Sequence, residues 1–506
     1  MSAVSEFERL SGTYFYAGTQ HKSQGPAAFR VTDPATGVEI GFVAECTEEE
    51  INKVFDAAKV AQKQWWAESA LHRAEVMHEV ARKIKKNRLE LAELLTREMG
   101  KTFKESCDEV DWSVTAIDYY AEVGRHENGH VLGPAVAGQF HFTIKQPMGT
   151  AGIILPFNFP YVLLCWEAAA ALVAGNAVVV KPSEHTSLCT LKFMEYFNDL
   201  PKGLIQCITG GAEAGQQLVS SPKIDMIAFT GSVPTGRAVV KACAETFKPH
   251  MIETSGNDPF IVMPSADLQI AARGAAFAAF LNAGQVCTSA ERIYVHEDVH
   301  DEFVSLLVSE AKGIRVGNGL DKVDIGPMVN QRERDRYEKI LARAIEQGAI
   351  VECGGGRPSG LDHGFFAEVT VLTNVRPEMD ILHGESFGPI APICKVSSLD
   401  EAIALANDSD FGLGANIYTK QLDEAMRAVN EIDVGMVWVN APLLDNDAGP
   451  FGGRKLSGSG RQLGREGLDS FRHTKLAMID PDSKSEDFWW FPYKDSESFQ
   501  GYSEGK

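Results

Sequence analysis

Hydrophobic positions in the first third of the chain recur with the spacing of amphipathic helices. After Thr47, apolar residues follow at Ile51, Val54 and Phe55, three and four positions apart, as on one face of a helix. Thr47 and Glu50 have the spacing of a capping box, which predicts that this helix begins at Thr47. Further helices are predicted over 70–87 and 105–123, whereas the first 30 residues are predicted to be irregular.

The pattern changes at residue 151. Short apolar runs then alternate with helical patterns at intervals of about 20 residues, which predicts β-α-β-α-β units with a parallel sheet. Such α/β sheets commonly bind nucleotides. The apolar runs lie at 152–155, 177–181, 204–208 and 226–229. A second α/β region is predicted over 257–450, with strands at 292–295 and 435–439.

Two segments depart from this pattern. Residues 129–149 alternate apolar and polar positions, as at Phe140, Phe142 and Ile144, which predicts a β-hairpin. Residues 488–493 form an aromatic cluster within a polar tail. Because an exposed apolar patch is unfavourable in water, we expect this cluster to pack on a partner subunit or on the chain itself.

Composition and charge exclude several classes of protein. The chain has 506 residues, 44% hydrophobic and 23% charged, which is typical of a globular protein with two or three domains. A net charge of −21 would repel phosphate backbones, so nucleic acid is not expected as a partner. No apolar run of about 18 residues occurs, so no membrane span is predicted.

The nine cysteines are scattered along the chain, without a CxxC pair or a Cys/His cluster of zinc-site spacing. No metal site is therefore predicted. Scattered thiols fit a reducing compartment, and we expect a cytoplasmic location by default.

Three residues have side chains suited to acyl chemistry. Cys287 follows a polar, glycine-containing stretch and is a candidate nucleophile, although a lone cysteine is more often a small buried thiol. Glu253, at the end of a helix–strand unit, is a candidate base for activating water. Asn158, within a proline-rich turn, offers a neutral amide donor to an oxyanion, although asparagine there is usually a turn residue.

Two strand ends indicate a dinucleotide site. Residues 229–232 lead from a predicted strand into a helix, whose first N–H groups can bind a pyrophosphate. Lys181 ends another strand, and Glu184 follows three residues later, where a carboxylate can accept hydrogen bonds from a ribose. The usual G-x-G-x-x-G is absent, so this pattern alone is weak.

Together these segments resemble the aldehyde dehydrogenase superfamily, in its non-acylating, NAD-dependent type. Its motifs occur in the family's order, and the resemblance covers about residues 30–475. They are PxNFP at 156–160, GNxVVxKPxE at 175–184, FTGS at 229–232, ELGG at 253–256, GQxC at 284–287, ExFGP at 385–389 and PFGGxKxSGxGR at 450–461. The departures are Phe157 in place of the common Trp, Thr254-Ser255 within the ELGG element, and a longer tail beyond 480.

The resemblance implies a Rossmann-like parallel-sheet cofactor domain, an α/β catalytic domain and a small β oligomerisation element. The cofactor domain would comprise 1–128 and 150–256, with 457–475 returning to it. The catalytic domain would comprise 257–456, and the oligomerisation element 129–149 and 476–506. A homodimer or homotetramer is implied, and joining strands between subunits would also cover exposed sheet edges.

The resemblance also implies a catalytic sequence. Cys287 attacks the aldehyde carbon, the Asn158 amide and the Cys287 N–H stabilise the oxyanion, and hydride leaves to NAD. Glu253 then activates the water that hydrolyses the thioester. The implied NAD-binding residues are Lys181, Glu184, Gly215, Phe229, Gly231, Ser232, Glu385 and Phe387. Because a ribose-binding carboxylate at Glu184 would repel a 2′-phosphate, NAD is expected rather than NADP.

For the substrate, the resemblance implies an aldehyde tunnel lined by Trp112, Trp166, Leu281, Asp445 and Phe451. Relatives that oxidise succinate-like semialdehydes carry arginines near the positions of Trp166 and Leu281, so the apolar residues here argue against such a substrate. The loop at Asn446 nevertheless resembles that subfamily. The aromatic lining favours an aromatic or medium aliphatic aldehyde.

Three alternatives remain open. Asp108 and Asp445 would suit an amino or trimethylammonium aldehyde, assisted by cation–π contact, but Phe159 and Phe451 stand where betaine-type enzymes prefer Tyr and Trp. A CoA-acylating semialdehyde dehydrogenase typically lacks the carboxylate base, which is present here as Glu253. A non-catalytic relative would typically have lost the nucleophile or the base.

Overall fold

The computed structural model describes residues 3–126 and 128–482. The aromatic cluster at 488–493, with its expected packing, lies outside these residues. The helices are α1 (Ala3–Leu10), α2 (Glu48–Ala67), α3 (Ala70–Lys86), α4 (Arg88–Met99), α5 (Phe103–Val123), α6 (Pro160–Val173), α7 (Ser187–Met194), α8 (Ala212–Ser220), α9 (Val233–Ala244), α10 (Leu268–Phe280), α11 (His300–Gly313), α12 (Gln331–Glu346), α13 (Leu399–Asn407), α14 (Leu422–Glu431) and α15 (Gly464–Asp469). Short 3-10 helices cover Glu195–Phe197, Leu281–Gly284 and Asp380–Leu382.

The strands are β1 (Thr13–Tyr16), β2 (Thr19–Lys22), β3 (Ala27–Thr32), β4 (Glu39–Ala44), β5 (Val131–Leu132), β6 (Phe140–Pro147), β7 (Thr150–Ile154), β8 (Ala177–Lys181), β9 (Ile205–Cys207), β10 (Met226–Thr230), β11 (His250–Glu253), β12 (Asp258–Val262), β13 (Ala290–His296), β14 (Ile350–Cys353), β15 (Thr370–Thr373), β16 (Ile390–Val396), β17 (Phe411–Gly412), β18 (Gly414–Tyr418), β19 (Met436–Val439), β20 (Arg454–Lys455), β21 (Gly458–Ser459) and β22 (Arg472–Ile479).

Two large sheets form the body of the molecule. The first has the order β2-β1-β9-β8-β7-β10-β11-β21, and its strands β9, β8, β7, β10 and β11 are parallel. The second has the order β14-β15-β16-β13-β12-β18-β19 and is parallel except for the β14 edge. Each sheet lies within its own cluster of buried apolar residues. The α/β fold class predicted from the sequence is confirmed.

A third, smaller sheet stands apart from these two. It has the order β22-β6-β5, and all its pairings are antiparallel. The predicted hairpin over 129–149 is therefore present as β5 and β6, and the C-terminal β22 extends it. Val131, Leu476 and Met478 of this sheet are exposed.

Most of the predicted elements agree with the structure, but two predictions for the N-terminal part of the chain need correction. The capping box at Thr47 and Glu50 is formed, and α3 and α5 lie within a few residues of their predicted bounds. The prediction that the first 30 residues are irregular is wrong, because α1, β1 and β2 form there and β1 pairs with β9. Helix α4 was not predicted; its N-cap, Asn87, makes no side-chain cap hydrogen bond.

Within the described residues, no helix is long and apolar enough to cross a membrane, and no cluster of His, Cys, Asp and Glu is arranged to hold a metal ion. The nine cysteines are free thiols.

Candidate active site

A cavity of about 410 Å³ lies at the carboxyl ends of β7, β8, β10 and β11 and is closed by residues of the second α/β region. It is lined by all of the predicted catalytic residues, by all of the predicted substrate residues and by the predicted cofactor residues except one. The exception is Gly215 in α8, which is not among the described lining residues but faces the side chain of Lys181.

The loop before Cys287 has an unusual backbone that turns the nucleophile into the cavity. Asn282 and Ala283 adopt positive φ angles of 52° and 56°, in the left-handed region that such residues rarely occupy. At Gly284, which also has a positive φ, an added Cβ would lie 2.1 Å from the carbonyl oxygen of Gly388. The GQxC and FGP motifs are therefore packed backbone against backbone, and only glycine fits between them.

A network of buried amides fixes this loop to the turn that carries Asn158. The Nδ2 of Asn158 donates to the carbonyl oxygen of Gln285 at 3.0 Å, and the Nδ2 of Asn282 donates to the carbonyl oxygen of Asn158 at 3.2 Å. From α5, Glu105 accepts the backbone N–H of Asn282 at 2.8 Å. Because an amide nitrogen carries two hydrogens, Asn158 retains a second donor for a ligand in the cavity.

A buried ion pair supports the start of α6, immediately after Asn158. The carboxylate of Glu109 accepts hydrogen bonds from the backbone N–H groups of Tyr161 and Val162, and it thereby caps the start of this helix in place of the N-cap side chain. Lys101 donates to the other oxygen of Glu109 at 2.5 Å and lies 3.7 Å from the centre of the Phe159 ring. Both members of the pair are fully buried.

Burial is the largest influence on the pKa of both Cys287 and Glu253. Burial raises the pKa of Glu253 to about 8, and the charge of Glu385 acts in the same direction. The Cys287 thiol and the Thr230 hydroxyl face this carboxyl and lower its pKa in part. Within the described residues, neither oxygen of Glu253 makes a hydrogen bond of normal geometry. Burial, followed by the charge of Glu253, raises the pKa of the Cys287 thiol well above its usual range.

Gly256 closes the ELGG-like motif against the nucleophile. A Cβ added at Gly256 would lie 2.0 Å from the carbonyl oxygen of Cys287, which no side chain can tolerate. The motif that supplies the carboxylate therefore also packs directly on the backbone of the cysteine.

The turn between β10 and α9 contributes Phe229, Gly231 and Ser232 to the cavity. Ser232 is the N-cap of α9, and its side chain does not cap the helix, so N–H groups at this helix start are available to an anion. Lys181 is buried, and burial lowers its pKa. Burial raises the pKa of Glu184, but its own backbone N–H and the charge of Lys181 outweigh this effect and lower the pKa overall.

Glu385 and Phe387 are held by three further polar residues. The Oγ of Ser255 donates to Glu385 at 2.6 Å. The serine that replaces a glycine of the family's ELGG motif therefore makes a specific hydrogen bond in this protein. Glu291 accepts the backbone N–H of Phe387 at 2.7 Å, and Arg336 donates to the carbonyl oxygen of Ser386 at 2.7 Å.

Aromatic side chains dominate the remaining wall. Trp166 and Phe451 are buried with ring centres 4.9 Å apart, whereas Trp112 stands at the exposed mouth. Asp445 also lines the cavity and is exposed. Asp108, the second member of the expected acidic rim, is not among the described lining residues and pairs instead with Lys104 at 2.5 Å.

Several residues around this site were not identified from the sequence. Arg332, Glu333 and Arg336 reach the cavity from α12, and no motif marks them. Glu167 is different, because it is the one acidic residue in the otherwise apolar sequence of α6 and is fully buried. A charged residue in a buried helix needs a specific partner, so this pattern alone could have identified it.

Comparison with known proteins identifies a family. Residues 21–477 match the model of the aldehyde dehydrogenase family. The chain is 36% identical to 3,6-anhydro-alpha-L-galactose dehydrogenase of Vibrio sp. (strain EJY3) over 460 residues, which cover 90% of this chain and 96% of that protein.

Solved structures of the same fold hold either dinucleotide. A structure of 3,6-anhydro-L-galactose dehydrogenase in complex with NADP (NAP) has a TM-score of 0.90 and 36% identity, and covers 93% of this chain and 100% of that one. Betaine aldehyde dehydrogenase from Staphylococcus aureus, in complex with NAD+, has a TM-score of 0.92 and 31% identity, and covers 96% of this chain and 98% of that one.

Proposed function

Because the chain belongs to the aldehyde dehydrogenase family, and is thus an NAD(P)-dependent oxidoreductase acting on aldehydes, we propose that it forms a thioester on Cys287 and hydrolyses it. The observation that carries this proposal is that Cys287, Asn158 and Glu253 line one cavity. A thiol nucleophile, an amide donor and a carboxyl base are the three groups that acyl transfer to water requires.

Cys287 is the nucleophile. Burial and the charge of Glu253 raise the pKa of the Cys287 thiol, so the free site favours the neutral thiol, and its proton passes to water in the cavity before the sulfur attacks. The bond from Sγ to the aldehyde carbon then places negative charge on the aldehyde oxygen. The second hydrogen of Asn158 Nδ2 and the backbone N–H of Cys287 are the donors for that charge.

Glu253 is the base for the second half of the reaction. Within the described residues its carboxyl accepts no hydrogen bond of normal geometry, and burial brings its pKa to about 8, close to the pH at which a general base is most effective. The carboxylate removes a proton from water, and the resulting hydroxide attacks the thioester carbon. The carbon–sulfur bond breaks, the carboxylic acid is released, and the proton held by Glu253 passes to the leaving sulfur, which regenerates the Cys287 thiol and the Glu253 carboxylate.

The cofactor end of the cavity fits a nicotinamide dinucleotide. The uncapped start of α9 is suited to the pyrophosphate, Lys181 and Glu184 to the adenosine ribose, and Glu385 with Phe387 to the nicotinamide ribose and ring. When bound, this cofactor supplies a hydride acceptor. Glu184 favours NAD over NADP, because its lowered pKa keeps it negatively charged beside the position of a 2′-phosphate.

The substrate is an aromatic or medium aliphatic aldehyde. The wall around Trp166, Phe451 and Leu281 is apolar, and the arginines that line the cavity, Arg332 and Arg336, stand beside Glu333 and Glu385 at the cofactor end. A second carboxylate on the substrate would therefore lack a cationic partner within the described part of the wall.

A cationic amino or betaine-type aldehyde is the second candidate. Asp445 and the exposed ring of Trp112 both line the cavity, and together they can attract an ammonium group. The absence of Asp108 from the described lining weakens this candidate, because the acidic rim is then reduced to Asp445.

The sheets also support an organisation into three parts. The first large sheet is assigned to cofactor binding and includes the returning β21, the second to catalysis, and the β22-β6-β5 sheet to assembly. Exposed Val131, Phe140 and Met478 give this small sheet an apolar surface that a second copy of the chain would cover. The protein is therefore proposed to be a homodimer or homotetramer. A cytoplasmic location is proposed separately, because its cysteines are free thiols.

A panel of aldehydes tests this function. NADH formation is followed by its absorbance with aromatic, aliphatic, amino and carboxylated aldehydes, using NAD or NADP, and with Cys287→Ala as the control. We expect the aromatic and medium aliphatic members to give the highest kcat/KM, with the free acid as product. Formation of acyl-CoA on addition of CoA would instead identify a CoA-acylating enzyme, and cofactor binding without oxidation of any aldehyde a non-catalytic relative.

A further inference from the structure

A second buried carboxyl lies behind the proposed base, in a cluster that joins α6, β10 and the loop after β21. The Oγ1 of Thr230 donates to Oε1 of Glu167 at 3.0 Å, and the Nε2 of Gln462 donates to the same oxygen at 2.6 Å. Gln462 Nε2 also lies 3.0 Å from Thr230 Oγ1. The side chains of this cluster are buried, and Glu167 has no exposed surface.

Thr230 connects this cluster to Glu253. The two residues are direct partners in the parallel β10–β11 pairing, and the backbone N–H of Gly231 donates to the carbonyl oxygen of Glu253 at 3.1 Å. The Thr230 hydroxyl influences both carboxyls, since it lowers the pKa of Glu167 and that of Glu253. Thr230 lines the cavity, so it links Glu167 and Gln462 to the proposed base.

The two carboxyls differ in their hydrogen bonds. Oε1 of Glu167 accepts two, whereas neither oxygen of Glu253 accepts one of normal geometry within the described residues. Among those residues, no lysine or arginine forms an ion pair with either carboxyl. The other titratable groups that face the pair are Cys287 and Glu385 at Glu253, and Tyr120 of α5 at Glu167. Both carboxyls thus compete for negative charge without a nearby compensating cation.

The hydrogen-bond donors around Glu167 and Glu253 determine which of these two carboxyls ionises first. Two neighbouring carboxyls in a dry environment cannot both be ionised without a large cost, and hydrogen-bond donors favour the charged form of the group that accepts them. The donors Thr230 and Gln462 act on Glu167. Negative charge therefore settles on Glu167 first, and the remaining proton stays on Glu253.

We propose that Glu167 is a positioning residue whose buried negative charge retains the proton on Glu253 and so determines the pH at which Glu253 becomes a base. The inference rests on the proposed function, because it takes Glu253 to be the base that activates water. Burial raises the pKa of both carboxyls to about 8; at Glu253 the charge of Glu385 adds to this shift, and the charge of Glu167 adds to it further. A protonated Glu253 is neutral while charge develops on sulfur and on the aldehyde oxygen, so it does not oppose the first half of the reaction.

The test is the pH dependence of thioester hydrolysis, measured as decay of the acyl-enzyme after a single turnover with NAD and a reactive aldehyde. In Glu167→Gln the neighbouring charge is lost, so the pKa of Glu253 falls and the acid limb of the profile moves to lower pH by roughly one unit. In Gln462→Glu a third carboxyl is added, and the limb moves to higher pH. Hydride transfer, read from the NADH burst, still occurs in both variants.

Two controls separate the possible outcomes. Glu98→Gln removes another buried carboxyl, one that accepts the N–H groups of Leu188 and Cys189 outside the cavity; it lowers the melting temperature and leaves the acid limb in place. Glu253→Gln tests the proposed function itself, and persistence of full hydrolysis in that variant would refute it. If Glu253→Gln abolishes hydrolysis but neither Glu167→Gln nor Gln462→Glu moves the acid limb, only the present inference is overturned. Should Glu167→Gln not fold, the opposite shift in Gln462→Glu decides.

Discussion

The side-chain amide of Asn158 and the carbonyl oxygen of Gln285 lie 3.0 Å apart, and this contact joins the proposed oxyanion donor to the loop that carries Cys287. The turn that carries the donor is therefore directly attached to the loop that carries the nucleophile. Both depend on packing that lies outside the motif segments, in Glu105 and in the Lys101–Glu109 pair.

Asn158→Ala removes the side-chain donor and should lower kcat by about 10²–10³-fold, the usual cost of losing one preorganised oxyanion donor. Binding of NAD should change little, because the cofactor end of the cavity is formed by other strands. Steady-state kinetics and NAD titration by fluorescence measure the two quantities. An unaltered kcat would show that Asn158 has only a structural role at this turn.

Gly256→Ala places a methyl group where the Cys287 carbonyl oxygen now lies. We expect a loss of stability of about 1–3 kcal/mol from overpacking and a severe loss of activity, because the nucleophile must shift. Gly313→Ala is the matched control, since an added Cβ there meets no atom within 4 Å and the backbone is not left-handed. Chemical denaturation and kinetic assays distinguish the two variants; equal behaviour would contradict the packing described for the motif.

Lys101→Met should lower the free energy of unfolding by about 3–5 kcal/mol, because it leaves the buried charge of Glu109 without its partner. The comparable change Lys104→Met breaks the exposed pair with Asp108 and should cost at most about 1 kcal/mol. Urea denaturation of both variants provides the comparison. A small effect at Lys101 would mean that Glu109 is satisfied by the N–H groups of α6 alone.

Glu184→Ala should raise the ratio of kcat/KM for NADP to that for NAD by roughly tenfold, equivalent to about 1.4 kcal/mol. The reason is that the substitution removes a negative charge beside the expected position of the 2′-phosphate. Glu213→Ala, an exposed carboxylate of α8 outside the cavity lining, is the control. NADP preferred by the wild-type protein would already contradict this assignment.

Local sequence patterns were sufficient to predict much of the fold. The capping box at Thr47, the helical periodicity of α3 and α5, and the apolar runs of β8 and β10 each specify their element with nearby residues. Strand β1 could not be identified in this way, because it is short and is stabilised by pairing with β9, far along the chain.

The candidate site, too, was predictable from the sequence only where its residues lie in local motifs. Cys287, Glu253 and Asn158 lie in motifs that can be recognised in the sequence, and the structure brings them to one cavity. The contacts of Glu167 with Thr230 and Gln462 join residues 63 and 295 positions apart, so only tertiary packing brings them together. The apolar surroundings of Glu167 in α6 were the one local sign of its importance.

The most direct test of the central claim is the mass of the Cys287 peptide in Glu253→Gln after incubation with NAD and an oxidisable aldehyde. We expect about one NADH per active site, together with an acyl adduct on Cys287 that accumulates because its hydrolysis lacks a base. The wild-type protein should turn over continuously and show little adduct. An adduct on another residue, or continuous turnover in Glu253→Gln at the wild-type rate, would contradict the account.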